Sequence, residues 1–233
     1  MKLNETFNKA NTKHLGLTKF DLAFDVGSYT GDSISGLKSL GYKNIICFEP
    51  DPSNFINLKL NYGQDPQISC IRKAVTNKSN EIVKMYSTRN LPFLNTLDKN
   101  WIIKTRHKQY YRPTQWEEFD VETTTLDDFV KSIGKTPSYV KIDVEGHERE
   151  VLDGMSFKPE FLSFEWISEK LNNNLECIYI LMMLGFKKFT VCFGEDIPIK
   201  GQVWHDHERI TNKFYELKEA DKDNNFSGNI FCL

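Results

Sequence analysis

Three short apolar runs, FDLAFDVG (20–27), NIICFEP (44–50) and QISCIRKAV (67–75), are separated by two stretches of helix length. This alternation restricts the fold more than any other feature of the chain. In the first run Leu22, Phe24 and Val26 share one face, as in a buried strand. A helix is expected from about Thr30 to Leu40, with Ile34, Leu37 and Leu40 inward and Gly41 as its stop. The second helix opens at Asp51, an N-cap, with Pro52 at the first helical position. Strand, helix, strand, helix, strand is the rhythm of a parallel sheet with right-handed crossovers.

The pattern continues. EIVKMYS (81–87) and DVETTTL (120–126) read as strands that pair, and Thr125 with Asp128 gives a capping-box start to LDDFVKSIG. SYVKID is a strand, EGHEREVLDG a helix closed by Gly154, and FLSFEW a strand. Residues 168–184 form a long helix with Leu171, Leu175, Ile178 and Met182 on one side and Gly185 at its end. KKFTVCF and SGNIFCL complete the set. The expected fold is α/β, a doubly wound, mostly parallel seven-stranded sheet of Rossmann-like type. Without repeats or linker-like composition, residues 1–233 read as one domain, with 1–19 an N-terminal extension.

Bulk properties exclude several functions. A net charge of −2 supplies no global field for nucleic acid or anionic lipid. IYILMMLGF, the longest apolar run, is too short to span a bilayer. The N-terminus lacks the apolar stretch of a signal peptide, and the five cysteines contain no C-x-x-C pair. These features predict buried, reduced thiols and a cytoplasmic protein.

Ligands of open α/β sheets bind beyond the carboxyl ends of the strands, and the first such end here is DVGSYTG. A dinucleotide fingerprint fails on register: if Gly31 were its third glycine, Ser28 and Val26 would occupy the other two places. That disfavours a nicotinamide-dependent oxidoreductase. A P-loop fails as well, because Leu37 intrudes in GDSISGLKS and turns Lys38 about 100° around the helix. What remains is D-x-G-x-x-x-G, from Asp25, Gly27 and Gly31, followed by Glu49 at the end of the second strand. A carboxylate there accepts both hydroxyls of a ribose, and an acidic loop suits a ligand with a cationic amino-acid end. S-adenosylmethionine has both features.

The segments FDVGSYTG, CFEPDPSNFINLKLN, KAVTN, VETTTLDDF and VKIDVEGHEREVLDG stand in the order and spacing of the FkbM-type methyltransferase family, which the chain resembles over residues 20–166. K-x-D-x-E-G-x-E is the most specific of these motifs. The resemblance implies a class I S-adenosylmethionine-dependent methyltransferase acting on oxygen, usually a hydroxyl of a sugar or natural product. It implies that Asp25, Gly27, Ser28, Tyr29 and Gly31 hold the methionine end, that Glu49 holds the ribose, and that Lys73 and Ala74 lie beside the adenine. Ser28 and Tyr29 replace the family's frequent Asn or His, and FLNTL (93–97) stands where paired serines are usual. A module that binds the cofactor without turnover is the alternative from another class.

Methyl transfer to an alcohol needs alignment and a group to take the proton. KIDVEGHERE (141–150) supplies the candidates. Strand parity places Lys141, Asp143 and Glu145 on one side, and Glu148 heads the inward stripe Glu148, Val151, Leu152, Met155 of the next helix. Asp143 is the expected catalytic group, supported by Glu145 and Glu148, while His147 falls on a free position of the family motif. Part of this charge also suits a helix dipole. A divalent metal is compatible with these acids, but nothing in their spacing demands one, and none is expected. His205 and His207 read as solvated. WIIKTRHKQYYRPTQWEEF (101–119) is basic and aromatic, and reads either as a lid or insertion over the acceptor or as a surface helix packed through Trp101, Tyr110 and Trp116. Arg106, His107, Lys108 and Arg112 would suit an anionic group. Single-stranded RNA fits that composition but finds no basic support elsewhere. The expected partner is a small-molecule or carbohydrate acceptor.

Overall fold

The computed structural model describes residues 12–88, 91–104, 116–194, 196–198, 200–223 and 225–233. The expected first half appears as β1 (Leu22–Val26), α1 (Ile34–Leu40), β2 (Asn44–Phe48), α2 (Pro52–Tyr62) and β3 (Ile68–Ile71). A short β4 (Ala74–Val75), β5 (Ile82–Thr88), α3 (Lys99–Lys104) and β6 (Trp116–Thr124) follow. Then come α4 (Leu126–Ile133), β7 (Tyr139–Ile142), α5 (Glu148–Asp153), β8 (Phe161–Ile167) and α6 (Leu171–Met183). The chain closes with β9 (Phe189–Phe193), α7 (His207–Ala220) and β10 (Ser227–Cys232).

The main sheet has seven strands in the order β3-β2-β1-β7-β8-β10-β9. Its first five strands run parallel, and β10 pairs antiparallel with both β8 and β9. From β1 the chain winds outward through β2 to β3, then returns to β7 on the other side of β1. Beyond the point where they touch, the loops after β1 and β7 therefore part and open a crevice at the switch point.

Strand parity sorts the interior. Leu22, Phe24 and Val26 pack on one face with α4, α5, α6 and α7, while Ala23, Ile45, Cys47 and Tyr139 pack on the other with α1 and α2. Asp51 caps α2, its side chain accepting from the amides of Ser53 and Asn54. Thr125 caps α4 by accepting from Asp128 N.

Four details depart from the sequence reading. β3 ends at Ile71, and residues 74–75 cross to a separate three-stranded sheet, β4-β6-β5, which also takes the two strands at 81–87 and 120–126. β6 begins at Trp116, so the end of the aromatic segment is strand; its residues 105–115, with Arg106, His107, Lys108, Tyr110 and Arg112, lie outside the described residues. α1 starts at Ile34, because positive φ angles at Tyr29 and Gly31 keep the preceding loop from helix. The buried stripe of α6 is Asn174, Cys177, Ile178 and Leu181, with Leu171, Leu175 and Met182 flanking it. All five cysteines are free, and no helix among the described residues is long and apolar enough to cross a membrane.

Candidate active site

Beyond the carboxyl ends of β1, β2, β7 and β8 lies a cavity of about 570 Å³. Its floor comes from the turn after β1. Gly27 has φ +78°, and a Cβ there would collide with the Asp143 carbonyl, so glycine lets the two central loops touch. The amides of Gly27 and Ser28 both donate to Phe48 O at 3.0 Å. The next residue, Tyr29, takes φ +51° and turns its amide toward Glu49.

Glu49 directly follows β2 on the cavity wall and is 4% exposed. Tyr29 N donates to one of its oxygens at 2.8 Å and Asp51 N to the other at 2.9 Å. Burial pushes its carboxyl up to about 8, against the opposing effect of those two amides. Lys73 and Ala74 line the same cavity. They do so from the crossing into the small sheet, where Lys73 Nζ lies 3.5 Å from Glu122.

The acids gather on the opposite wall. Asp143 follows β7, Glu145 lies in the next turn and Glu165 comes from β8; one oxygen of each lies within 4.8 Å of the others. Glu145 reaches this position through a left-handed backbone, φ +55°, not through strand parity, since β7 stops at Ile142. Behind Asp143, Lys141 Nζ contacts Asp143 Oδ2 at 3.4 Å and Asp25 Oδ1 at 3.1 Å. Burial opposes the charge of Lys141, but the two carboxylates together hold its ammonium above the ordinary lysine value. Burial, and then the charges of Glu145 and Asp143, hold Glu165 well above the usual carboxylate range. Among the described residues these three carboxylates are the group able to hold a metal ion, and their hard oxygens would suit a divalent cation.

Gly27, Ser28, Tyr29, Glu49, Lys73, Ala74, Asp143 and Glu145 are thus brought together around one cavity. Asp25, Gly31 and Glu148 are not on its wall. Asp25 is fully enclosed on the Lys141 side. Gly31, at φ +95°, faces the Tyr62 ring of α2, where a Cβ would collide. Glu148 is 3% exposed and its carboxylate accepts from the amides of Val144 (3.2 Å) and Gly146 (3.0 Å), which shapes the turn carrying Glu145. Burial raises its carboxyl. His147 does line the cavity; its Nε2 lies 3.2 Å from Thr76 Oγ1, its Nδ1 lies 3.5 Å from Glu150, and burial lowers its basicity. His205 pairs through its backbone with Phe189, and His207 opens α7; neither lines the cavity.

A strap of residues 91–101 covers the cavity. Asn54 Nδ2 donates to Pro92 O at 3.1 Å, Asn95 Nδ2 to Asp51 Oδ2 at 3.0 Å, and Thr96 Oγ1 to Glu145 O at 2.8 Å. Lys170 Nζ donates to Asp98 Oδ2 (2.8 Å) and to Gly146 O (2.6 Å), and stands 4.8 Å above the Trp101 ring. Glu165 and Lys170 were not singled out from the sequence, although Glu165 is the one charged residue inside FLSFEW. Within the strap, FLNTL and Trp101 stand out in the sequence, but the partners they meet across the cavity leave no local trace there.

Among solved structures, the precorrin-6y C5,15-methyltransferase of Geobacter metallireducens is 10% identical, with 95% of this chain and 84% of that one covered and a TM-score of 0.48. The fibrillarin of Aeropyrum pernix, solved with natively bound S-adenosyl-L-methionine, is 12% identical over 99% of this chain and 76% of that one, with a TM-score of 0.46. Likenesses of that size carry no functional argument. No curated protein matches the chain. The profile of the Methyltransferase FkbM domain, by contrast, matches residues 25–221, which include both lips of the crevice, the strap and the acidic wall. The chain therefore belongs to the FkbM family of S-adenosylmethionine-dependent methyltransferases.

Proposed function

We propose that this methyltransferase acts on a hydroxyl oxygen of a carbohydrate-type or other small natural-product acceptor. The observation that carries this reading is the convergence of Asp143, Glu145 and Glu165 within 4.8 Å at the cavity. An alcohol must lose a proton as it is alkylated, whereas a carboxylate or thiolate acceptor needs no such assistance. A wall of acids also disfavours an anionic acceptor. The net charge of −2 supports a small acceptor over a nucleic acid, and five free thiols support a reducing, cytoplasmic setting.

The donor set fits the cofactor. Glu49 is held by one backbone amide on each oxygen, which leaves lone pairs on both for a vicinal diol. Gly27, Ser28 and Tyr29 form the wall beside it, and Lys73 and Ala74 continue that wall. When bound, S-adenosylmethionine supplies a methyl group activated by its sulfonium. Lys141 fixes the Asp143 carboxylate, which orients the hydroxyl and accepts its proton. The proton leaves Asp143 for water when the product departs, Glu145 and Glu165 stand beside that carboxylate, and Glu148 acts through the turn it braces.

The test is incubation with S-adenosylmethionine and a panel of sugars, glycosides and glycolipid precursors. Release of S-adenosylhomocysteine should accompany a new O-methyl resonance in the product. Turnover that places the methyl only on nitrogen or sulfur would overturn the reading.

A further inference from the structure

Asp143, Glu145 and Glu165 reach the cavity from the end of β7, from a left-handed turn and from the interior of β8. One oxygen of each lies within 4.8 Å of the other two. We propose that these carboxylates bind one hard divalent cation on the cavity wall. Binding stands on the contacts below, and a part for the cation in the reaction rests on the hydroxyl-methylation reading.

The spacing suits such an ion. Oxygens on opposite sides of a bound Ca²⁺ stand about 4.6–5.2 Å apart, and across Mg²⁺ about 4.0–4.2 Å. The three carboxylates are thus already spaced for the larger ion, and a small inward turn of their side chains suits the smaller.

Two further oxygens point the same way. Glu165 Oε2 is buried and has no hydrogen-bond partner among the described residues. The register partner of Glu165 on β10 is Asn229, 2% exposed, whose Oδ1 is likewise buried without a partner. Register partners present their side chains on the same face of a sheet. The Asn229 amide cannot turn over to cure this, because its Nδ2 donates to Gly194 O at 3.1 Å and an exchanged oxygen would face that carbonyl. Neighbouring buried acceptors with no donor call for water or a cation. The convergence of three acids decides between them, since a cation offsets that charge and water does not. Lys141 balances only part of it, being shared with Asp25.

The spacing of the sequence did not demand a metal because Glu165 joins the group only across the sheet, where β8 lies beside β7. Glu145 is held in place by its own turn, which Glu148 braces from one side and Thr96 from the other. A cation held there would polarise a hydroxyl oxygen completing its shell and make that proton easier to remove.

Mn²⁺ is the probe, because binding removes the electron paramagnetic resonance signal of the free ion. The cofactor-free chain should take up one Mn²⁺ with a dissociation constant below about 1 mM, and Mg²⁺ should displace it. Glu165→Gln and Glu145→Gln should each weaken uptake by at least about tenfold, while Glu81→Gln, an exposed acid outside the group, stays within about twofold of wild type. Both cavity variants keep the shape of the side chain, and thermal melts in chelator should show them folded. Mn²⁺ should then raise the melting temperature of the wild type and not of either variant. Uptake at several sites that these variants leave unchanged would be adventitious and would overturn the proposal, as would no uptake at all. Displacement of Mn²⁺ one for one by S-adenosylhomocysteine would assign the acids to the cofactor's ammonium and overturn it equally. Carboxylate-dependent uptake by a protein that methylates only nitrogen or sulfur would leave the cation site standing and defeat the hydroxyl reading instead.

Discussion

Lys141 Nζ lies 3.1 Å from Asp25 Oδ1, and the two residues are register partners on β7 and β1 at the centre of the sheet. The same ammonium lies 3.4 Å from Asp143. One buried cation thus ties a carboxylate on the first strand to the acid that follows β7, across the line where the crevice opens. Orientation of Asp143 is in this way built into the core, not left to a surface loop.

Lys141→Met should therefore destabilise the fold strongly, because it strands two acids in the interior. The expected loss is about 3–5 kcal/mol in urea denaturation. Adding Asp25→Asn to that variant should restore part of the loss. A single-variant loss under about 1 kcal/mol would show that the pair is not desolvated as its burial implies.

The two kinds of left-handed glycine should behave differently. Gly27→Ala forces a Cβ into the Asp143 carbonyl, whereas Gly134, at φ +65°, has open space around its Cβ position. Gly134→Ala should cost about 1–2 kcal/mol from backbone strain alone. Gly27→Ala should cost more and also weaken S-adenosylhomocysteine binding, as thermal melts with and without ligand would reveal.

Glu49 predicts a pH dependence of defined sign. Burial raises its carboxyl from 4.5 to about 8 in the folded chain. The folded state then holds a proton that the unfolded state releases, so this group's contribution declines as pH rises from 4.5 through about 8. Glu49→Gln should flatten that part of the stability profile. Because a diol is best held by the anion, S-adenosylhomocysteine affinity should rise with pH up to about 8 in the wild type and stay level in the variant.

Asp143→Asn keeps shape and removes charge at the acidic wall. Its kcat should fall by about 10²–10⁴-fold, with the cofactor dissociation constant changed by less than about fivefold. Equal losses in both quantities would make Asp143 a cofactor ligand and not a group acting on the acceptor.

The sheet was legible because its strands and caps are local: Asp51 with Pro52, Thr125 with Asp128, and the apolar parity of Leu22, Phe24 and Val26 each speak within a few residues. That the glycine turn and Glu49 share one cavity was legible for the same reason, since they follow successive strands of the sheet. Glu145 reached the cavity for a reason that parity did not contain, a backbone inversion held by Glu148 and by Thr96 from a distant segment. Gly31 looked like a ligand-facing glycine, but its positive φ serves packing on Tyr62. Glu165 joins the acids only because β8 lies beside β7. Long-range pairing of this kind leaves no periodic trace in a sequence.

Calorimetric titration of S-adenosylhomocysteine into the wild-type chain and Glu49→Ala tests the cofactor site most directly. Loss of a carboxylate that accepts two hydroxyls should weaken binding by at least about tenfold, with NAD binding to neither protein. Undiminished affinity in Glu49→Ala, or tight NAD binding in the absence of S-adenosylhomocysteine binding, would contradict it.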